Sequence, residues 1–374
     1  MSFLNRASKR LLSLDVFRGL AIASMVLVNN PGSWQHVYPP LLHAEWHGFT
    51  PTDWIFPGFL FIAGVAMAFS FAKYTKAARP DPRVYWRIAR RCLVLFLLGL
   101  FLNGFPTYNL SELRIMGVLQ RISLAYLLAA IAALRLPRWG LWLLCLAILF
   151  GYWAALMWVP VPGFGAGDLS PEGNLAAYVD RLLLSPPHLY LQGDFDPEGL
   201  LSTLPAVVTV LSGYLTGGWL RDQPRQSLTS LTLVIVGLTG VALGWQWGLI
   251  FPINKHLWTS SFVLFSSGWS LLLLALCYET IEVWRWRGWS RPLEILGMNA
   301  IFLFVASGIV TRILYRTHIG TGEDAPTTYR WLYETLFLPW AGELNGSLLF
   351  AIANIILWWL ILYWLYQRGW FIKV

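Results

Sequence analysis

The sequence predicts an all-α protein: a polytopic transmembrane helical bundle of about ten spans that forms a single domain over residues 1–374. Hydrophobic residues make up 57% of the chain and charged residues only 12%, whereas soluble globular domains carry roughly 25% charged residues. The apolar residues are gathered into runs of roughly the 20 residues that a helix needs to cross a bilayer. Both observations indicate an integral membrane protein.

Ten apolar segments are long enough to be spans. They cover residues 16–31, 53–72, 88–105, 115–134, 139–159, 199–219, 228–250, 258–280, 293–314 and 346–366. The first is the shortest and ends at the polar turn 29–32, and the ninth contains a lone Asn299. Because ten is an even number, both termini should lie on the same side.

Lysines and arginines predict which side faces the cytoplasm, because short cytoplasmic connections carry an excess of them. The N-terminus through Arg18, the segments 73–91, 135–138, 221–225 and 285–291, and the C-terminus hold 20 of the 27 Lys/Arg residues. Together with the flanking Glu279, Glu282 and Glu294, they hold 6 of the 19 Asp/Glu residues. That side has a net charge of +14 and the opposite side −6. We expect cytoplasmic N- and C-termini. Since topology explains the basic charge, a nucleic-acid partner has no support.

All six histidines fall on the outer side, and the segment from His43 to Asp53 concentrates polar groups just before the second span. Thr50 or Thr52 can cap that helix, which places Asp53 in its first turn, where the helix dipole favours a carboxylate. A carboxylate there can accept the N–H of the His43 ring and leave the other ring nitrogen free as a base.

Other interpretations of these residues stay open. His43 would have no catalytic role if it were an ordinary loop histidine, and Asp53 could be only a capping residue. A metal site from His36, His43 and His47 lacks the H-E-x-x-H spacing of zinc sites, so we expect no metal. The three cysteines lie inside apolar runs and do not form a disulfide or metal pattern.

Two polar groups interrupt the spans themselves. Gln120 and Arg121 lie inside the fourth span, and a guanidinium there must face a partner or a water-filled cavity. A structural ion pair and a contact with a phosphate or carbonyl are both compatible with Arg121. Asn299 lies near the inner side, where it could simply bond a neighbouring helix.

Two outer connections also carry polar groups. Asp196 and Glu198 begin the sixth span, although acids at a helix start are ordinary. Asn254 and Lys255 lead into the eighth span, which begins at Trp258, and Lys255 is the only lysine on the outer side. No G-x-S-x-G elbow, Walker loop or Rossmann glycine pattern is present.

Taken in order, these motifs resemble the heparan-α-glucosaminide N-acetyltransferase family of transmembrane acyltransferases, including its bacterial homologues. Each stretch is short, but the ordered combination is specific. The matching stretches are residues 13–19, 28–32, 43–57, 117–121, 196–199, 254–258 and 297–299.

The resemblance implies a single transmembrane acyltransferase domain that moves an acetyl group from cytoplasmic acetyl-CoA to the amine of a glucosamine-type sugar across the membrane. It implies that His43 is the active-site histidine, with Asp53 orienting its ring and Asn29 donating a hydrogen bond to the developing oxyanion. Direct transfer and a transient acetyl-histidine demand the same geometry. The identity of the acceptor stays open.

We expect the CoA phosphates to stay near the basic inner face and the pantetheine arm to run through the bundle. The predicted donor-binding residues are Gln120, Arg121, Asn254, Lys255, Trp258 and Asn299. The predicted acceptor-binding residues, on the acidic outer face that suits a cationic amino sugar, are Glu45, Asp196 and Glu198.

Two other functions fit parts of the pattern. A sugar or amino-sugar permease fits the composition, but no repeat between halves and no paired broken helices are evident. A membrane enzyme that acylates a glycan hydroxyl would differ only in substrate. Because the chain is compact, we expect a bacterial inner membrane, with His43 toward the periplasm, and the sequence leaves a homodimer open.

Overall fold

The computed structural model describes residues 11–72, 74, 81–322 and 324–372. In these ranges the chain is built from helices and has no strands beyond two isolated β-bridges, which confirms the predicted all-α bundle. The helices are α1 (Leu12–Asn29), α2 (Pro51–Phe71), α3 (Pro82–Gly104), α4 (Val118–Arg135), α5 (Arg138–Trp158), α6 (Leu175–Leu184), α7 (Thr203–Leu220), α8 (Ser227–Gly248), α9 (Ser260–Tyr278), α10 (Arg291–Met298), α11 (Ala300–Arg316), α12 (Thr328–Leu336), α13 (Leu338–Ala341) and α14 (Glu343–Gln367).

Eight helices in the described ranges are long and apolar enough to cross a membrane: α1, α2, α4, α5, α7, α8, α9 and α14. Helices α10 and α11 together form a ninth candidate, which is bent by 77° at the break between them. Helix α3 occupies the predicted third span and would be about 35 Å long at 1.5 Å per residue. Because its first half carries several arginines, composition alone does not identify α3 as a membrane span. The chain is therefore a multi-pass membrane protein.

The two ends of the bundle differ in their connections. We call the end with the short connections at 136–137, 221–226 and 284–290 the basic end, and the opposite end, which carries His43, the histidine end. Long connections at the histidine end contain the short helices α6, α12 and α13, which the sequence did not predict. That the basic end faces the cytoplasm stays a prediction.

Helices α1 and α10 pack backbone against backbone at the basic end. A methyl group added at Gly19 would overlap the carbonyl of Leu293, and one added at Gly297 would overlap the carbonyl of Asp15. Arg18 fastens the contact, because its Nε donates to the Gly297 carbonyl at 2.6 Å and its Nη2 to the Asp15 carboxylate at 2.6 Å. The motifs at 13–19 and 297–299 therefore form one helix–helix junction.

Asn299 lies at the break between α10 and α11 and is buried. Its Oδ1 accepts the backbone N–H of Ile372 at 2.9 Å, and its Nδ2 donates to the carbonyl of Trp370 at 3.3 Å. The residue predicted to bind the donor thus holds the C-terminal segment against the bundle.

Candidate active site

A histidine–carboxylate pair lies at the histidine end of the bundle. His43 Nδ1 is 2.7 Å from Asp53 Oδ1; the Asp53 side chain is 1% exposed and that of His43 is 43% exposed. A carboxylate can only accept, so Nδ1 carries the proton and Nε2 keeps its lone pair. The pair predicted from the sequence therefore has the geometry of an oriented base.

The local sequence explains why Asp53 is held in place. Thr50 is the N-cap of α2, Pro51 begins its first turn, and Asp53 is the third helical residue of a capping box. Asp53 Oδ2 accepts the backbone N–H groups of Thr50 at 3.0 Å and of Ala44 at 3.1 Å. One carboxylate thus caps the helix with one oxygen and orients His43 with the other.

Lys255 approaches the same pair from the connection between α8 and α9. Its Nζ is 3.0 Å from His43 Nδ1, 3.2 Å from His43 Nε2 and 3.6 Å from Asp53 Oδ1. Burial lowers the pKa of Lys255, and the charges of Asp53 and Glu198 offset only part of that effect. The sequence had marked Lys255 as an isolated outer lysine but could not show its partner.

Asn254 shapes the turn that carries Lys255. Its Oδ1 accepts the backbone N–H of Leu257 at 2.8 Å, and its Nδ2 lies 3.2 Å from His47 Nδ1. Burial lowers the pKa of His47, which favours the neutral ring at this contact. Asn254 therefore joins the two loops that form the site.

Arg121 and Trp258 form a buried pair behind these loops. The Arg121 guanidinium is fully buried and lies 5.0 Å from the centre of the Trp258 ring. Its Nη2 donates to the hydroxyl of Ser202 and to the carbonyl of Gly199, the latter at 3.2 Å. Within the described part of the chain, its Nε and Nη1 have no hydrogen-bond partner, a costly arrangement for buried donors.

Arg114 holds the two acids predicted to bind the acceptor. It makes a bidentate pair with Asp196 through Nε at 2.9 Å and Nη2 at 2.6 Å, and Nη2 also lies 2.6 Å from Glu198 Oε2. Burial alone would lower the pKa of Arg114, but the bonds and charges of the two carboxylates raise it. Both carboxylate oxygens of Asp196 bond to Arg114, whereas only Oε2 of Glu198 does.

Asp180 is a buried acid that the sequence analysis did not single out. It lies on α6 and accepts the backbone N–H of Leu200 at 2.8 Å, directly beside Gly199. Burial raises its pKa to about 7, although the Leu200 bond acts in the opposite direction. Asp180 thus braces the turn that carries Glu198.

An aromatic cluster lies beside Lys255 at the histidine end. The Trp46 ring stacks on His256 with ring centres 5.2 Å apart, and Phe195 meets both rings edge-on. Burial lowers the pKa of His256, and the Lys255 charge adds to that effect. Glu45, predicted to bind the acceptor, is exposed in the same loop as Trp46.

Asn29 lies apart from the His43–Asp53 pair, in a cavity of about 230 Å³ at the histidine end that Gln120 also lines. No hydrogen bond joins Asn29 to His43 among the described residues. Gln120 occupies space that Gly99 leaves free, since a methyl group at Gly99 would overlap its amide. We call this space the histidine-end cavity.

A second cavity, of about 300 Å³, opens at the basic end. We call it the basic-end cavity; Arg18, Arg91 and Gly297 are among its lining residues. On α3, residues 91 and 95 line the basic-end cavity, and residues 99, 102 and 103 line the histidine-end cavity. On α11, residues 300 and 301 line the basic-end cavity, and residues 304, 307, 308, 311 and 312 line the histidine-end cavity. This 3–4 residue spacing places both cavities on the same helix faces, end to end.

Comparison with known proteins identifies the relatives of this chain. The sequence model of the family described as heparan-alpha-glucosaminide N-acetyltransferase, catalytic, matches residues 10–233. The heparan-alpha-glucosaminide N-acetyltransferase of Homo sapiens is 32% identical over 354 residues, covering 79% of this chain and 52% of that protein. The Mus musculus protein of the same name is 30% identical over 361 residues, covering 81% and 54%.

The chain spans about half the length of these relatives. The family match includes His43, Asp53 and the Arg114–Glu198 cluster, whereas Lys255 and Asn299 lie beyond its end. Because the match covers more than half of the 374 residues, the chain belongs to the heparan-alpha-glucosaminide N-acetyltransferase catalytic family.

Proposed function

We propose that this protein is a membrane-embedded N-acetyltransferase that moves an acetyl group from cytoplasmic acetyl-CoA to the amine of a glucosamine-type sugar on the other side of the membrane. The observation that carries the proposal is the 2.7 Å contact between His43 Nδ1 and Asp53 Oδ1, which leaves Nε2 open as a base or nucleophile. The names of the human and mouse relatives support the same reaction.

In the proposed reaction His43 removes a proton from the acceptor amine, or first carries the acetyl group itself. Asp53 fixes the ring tautomer and stabilises the positive charge that the ring gains in either route. Incubation with acetyl-CoA alone, followed by mass analysis of the His43 peptide, separates the routes: an acetylated peptide indicates the relay.

The two cavities support a path for the donor. Arg18 and Arg91 line the basic-end cavity and suit the phosphates of CoA. The same faces of α3 and α11 lead to the histidine-end cavity, where Gln120 and Asn29 would offer amide groups to the pantetheine chain and the acyl group. We propose that the acetyl group then passes Arg114 to reach His43.

A pair of variants on one helix tests this path. Ile301→Trp fills the basic-end cavity, and Val310→Trp places the same ring on an exposed position of α11 that lines neither cavity. We expect Ile301→Trp to raise the KM for acetyl-CoA at least tenfold and Val310→Trp to leave it unchanged. Equal KM values for both variants would exclude this donor path.

The acceptor side rests on the acids of the histidine end. Glu45 is exposed, and Glu198 keeps one carboxylate oxygen outside its contact with Arg114. We propose that these two groups attract the ammonium of the amino sugar, and that Asp196 acts only by holding Arg114. In the proposed topology this end faces the periplasm and the basic end faces the cytoplasm of a bacterial inner membrane.

The experiment that tests the proposed function is an N-acetylation assay in detergent. Purified protein should acetylate glucosamine from acetyl-CoA, His43→Ala should lose this activity, and His36→Ala, a histidine away from Asp53, should retain it. Wild-type-like turnover by His43→Ala would remove His43 from the mechanism. Absence of product with the unaltered protein would instead support the permease, which the family does not favour.

A further inference from the structure

The position of Lys255 relative to His43 is unusual for a simple hydrogen bond. Its Nζ lies about equally far from the two ring nitrogens, at 3.0 Å and 3.2 Å. An ammonium in the ring plane at these distances would collide with the carbon between the nitrogens, so it must stand over the ring face. The in-plane lone pair of His43 Nε2 therefore stays open to an electrophile.

The connection that carries Lys255 is fixed by many bonds. Asn254 accepts the Leu257 N–H with its side chain and the Thr259 N–H with its carbonyl, and its own N–H donates to the Thr259 hydroxyl at 3.1 Å. Trp258 has a φ of 52°, in the left-handed region that non-glycine residues seldom adopt. Backbone strain of this kind persists where the surroundings enforce it, commonly at functional sites.

Burial disfavours the ammonium form of Lys255, whereas most of the charge that faces it favours that form. Asp53 and Glu198 face it with negative charge, Arg121 faces it with positive charge, and His43 and His256 are the neighbouring titratable rings. Its side chain is 16% exposed. Two carboxylates thus support a cation that is largely withdrawn from water.

We propose that Lys255 is a catalytic residue whose ammonium group binds the carbonyl oxygen of the acetyl group as that oxygen becomes negative. A group that approaches Nε2 along its in-plane lone pair has substituents on both faces of the imidazole ring. Lys255 lies over one of these faces, where its ammonium group would meet the carbonyl oxygen of the acetyl group. This inference rests on the proposed acetyl transfer and gives Lys255 a role other than donor binding.

The step balances without a further reactant. As nitrogen attacks the thioester carbon, the carbonyl electron pair moves to oxygen, which accepts a hydrogen bond from Lys255 while the ammonium keeps its proton. The carbonyl re-forms when the carbon–sulfur bond breaks. In direct transfer the thiolate leaves and takes up the proton that His43 removed from the amine. In the relay the thiolate leaves first, and it takes up the amine proton when the amine displaces His43 from the acetyl group.

A test independent of acetyl-CoA uses p-nitrophenyl acetate, a small ester that an exposed imidazole attacks directly. At pH 8, Lys255→Met should lower the His43-dependent release of p-nitrophenol about 10²–10³-fold, the usual loss on removal of an oxyanion donor. Lys255→Arg should restore part of it. Leu249→Met, at an exposed position of the same connection, should match the unaltered protein.

The pH profile gives a readout that a purely structural role would not change. Since burial lowers the pKa of Lys255, ester cleavage should fall as pH rises through a value below that of an ordinary lysine. Lys255→Arg should lose this alkaline fall, because a guanidinium does not deprotonate in that range.

Each outcome decides the inference. Unchanged ester cleavage by Lys255→Met, with only a raised KM for acetyl-CoA, would assign Lys255 to donor binding and overturn the proposal. If ester cleavage by Lys255→Arg still falls at alkaline pH, the proposal is also overturned. This pH profile of Lys255→Arg decides the question if Lys255→Met does not fold. Lys255-dependent ester cleavage without any acetyl-CoA turnover would refute the proposed function alone.

Discussion

Replacement of Asp53 by asparagine should abolish turnover while leaving most of the fold intact. Asp53 accepts four hydrogen bonds, from His43, from the backbone of Ala44, and from the backbone and hydroxyl of Thr50. Asparagine has one carbonyl oxygen, which the two backbone N–H groups would retain. Its amide N–H would then face His43 Nδ1, which could only accept, so the ring proton would move to Nε2 and remove the base.

The size of the effect follows from this change of tautomer. Loss of an orienting carboxylate by such a substitution lowers kcat by roughly 10⁴-fold in a serine protease, which corresponds to about 5 kcal/mol of transition-state stabilisation. Loss of a helix cap costs only about 1 kcal/mol of folding stability. Activity should therefore fall far more than stability.

The assay compares Asp53→Asn with Thr50→Ala in acetyl-CoA-dependent acetylation of glucosamine. Thr50→Ala removes a hydroxyl that bonds Asp53 at 3.1 Å but leaves the His43–Asp53 contact in place. We expect its turnover to stay within a few-fold of the unaltered protein. Equal turnover of the two variants would refute the reasoning and leave Asp53 as a capping residue only.

Three further predictions concern the scaffold. Gly19→Ala places a methyl group on the carbonyl of Leu293, so the yield of folded protein in size-exclusion chromatography should fall sharply; normal yield would contradict the tight junction. Arg114→Met leaves two buried carboxylates without their cation, a loss of about 3–5 kcal/mol that should lower the unfolding temperature. The raised pKa of Asp180, about 7 against 3.8, means that the folded state holds a proton longer than the unfolded chain. Its contribution to stability is full below about pH 4 and lost as pH rises through 7, and Asp180→Asn should remove that part of the pH dependence of thermal unfolding.

The sequence predicted the spans and the His43–Asp53 pair because both depend on local patterns. A run of about 20 apolar residues predicts a span whatever its neighbours in the bundle are. His43 and Asp53 are only ten residues apart, and the helix cap between them predicts that they lie close together. The break at Asn299 was not predicted, since a single asparagine in an apolar run does not distinguish a bent helix from a straight one.

Contacts between distant segments account for the rest. Arg114 lies 82 residues from Asp196, and Lys255 lies 212 residues from His43. Hydrophobic periodicity carries no information on such pairs, so the sequence could not show the partners of Asp196 and Lys255. The same limit applies to Arg121, because the sequence could not show that its guanidinium packs on Trp258. The assignment of both residues to the donor stays a prediction.

The central claim is that a thioester reaches His43 from the basic end while the amine arrives from the histidine end. Sealed proteoliposomes with protein in one known orientation test it, with acetyl-CoA confined to one side and glucosamine to the other. We expect N-acetylglucosamine to form only when acetyl-CoA faces the basic end and glucosamine faces the histidine end. Product that forms only when both compounds are on the same side of the membrane would contradict the account.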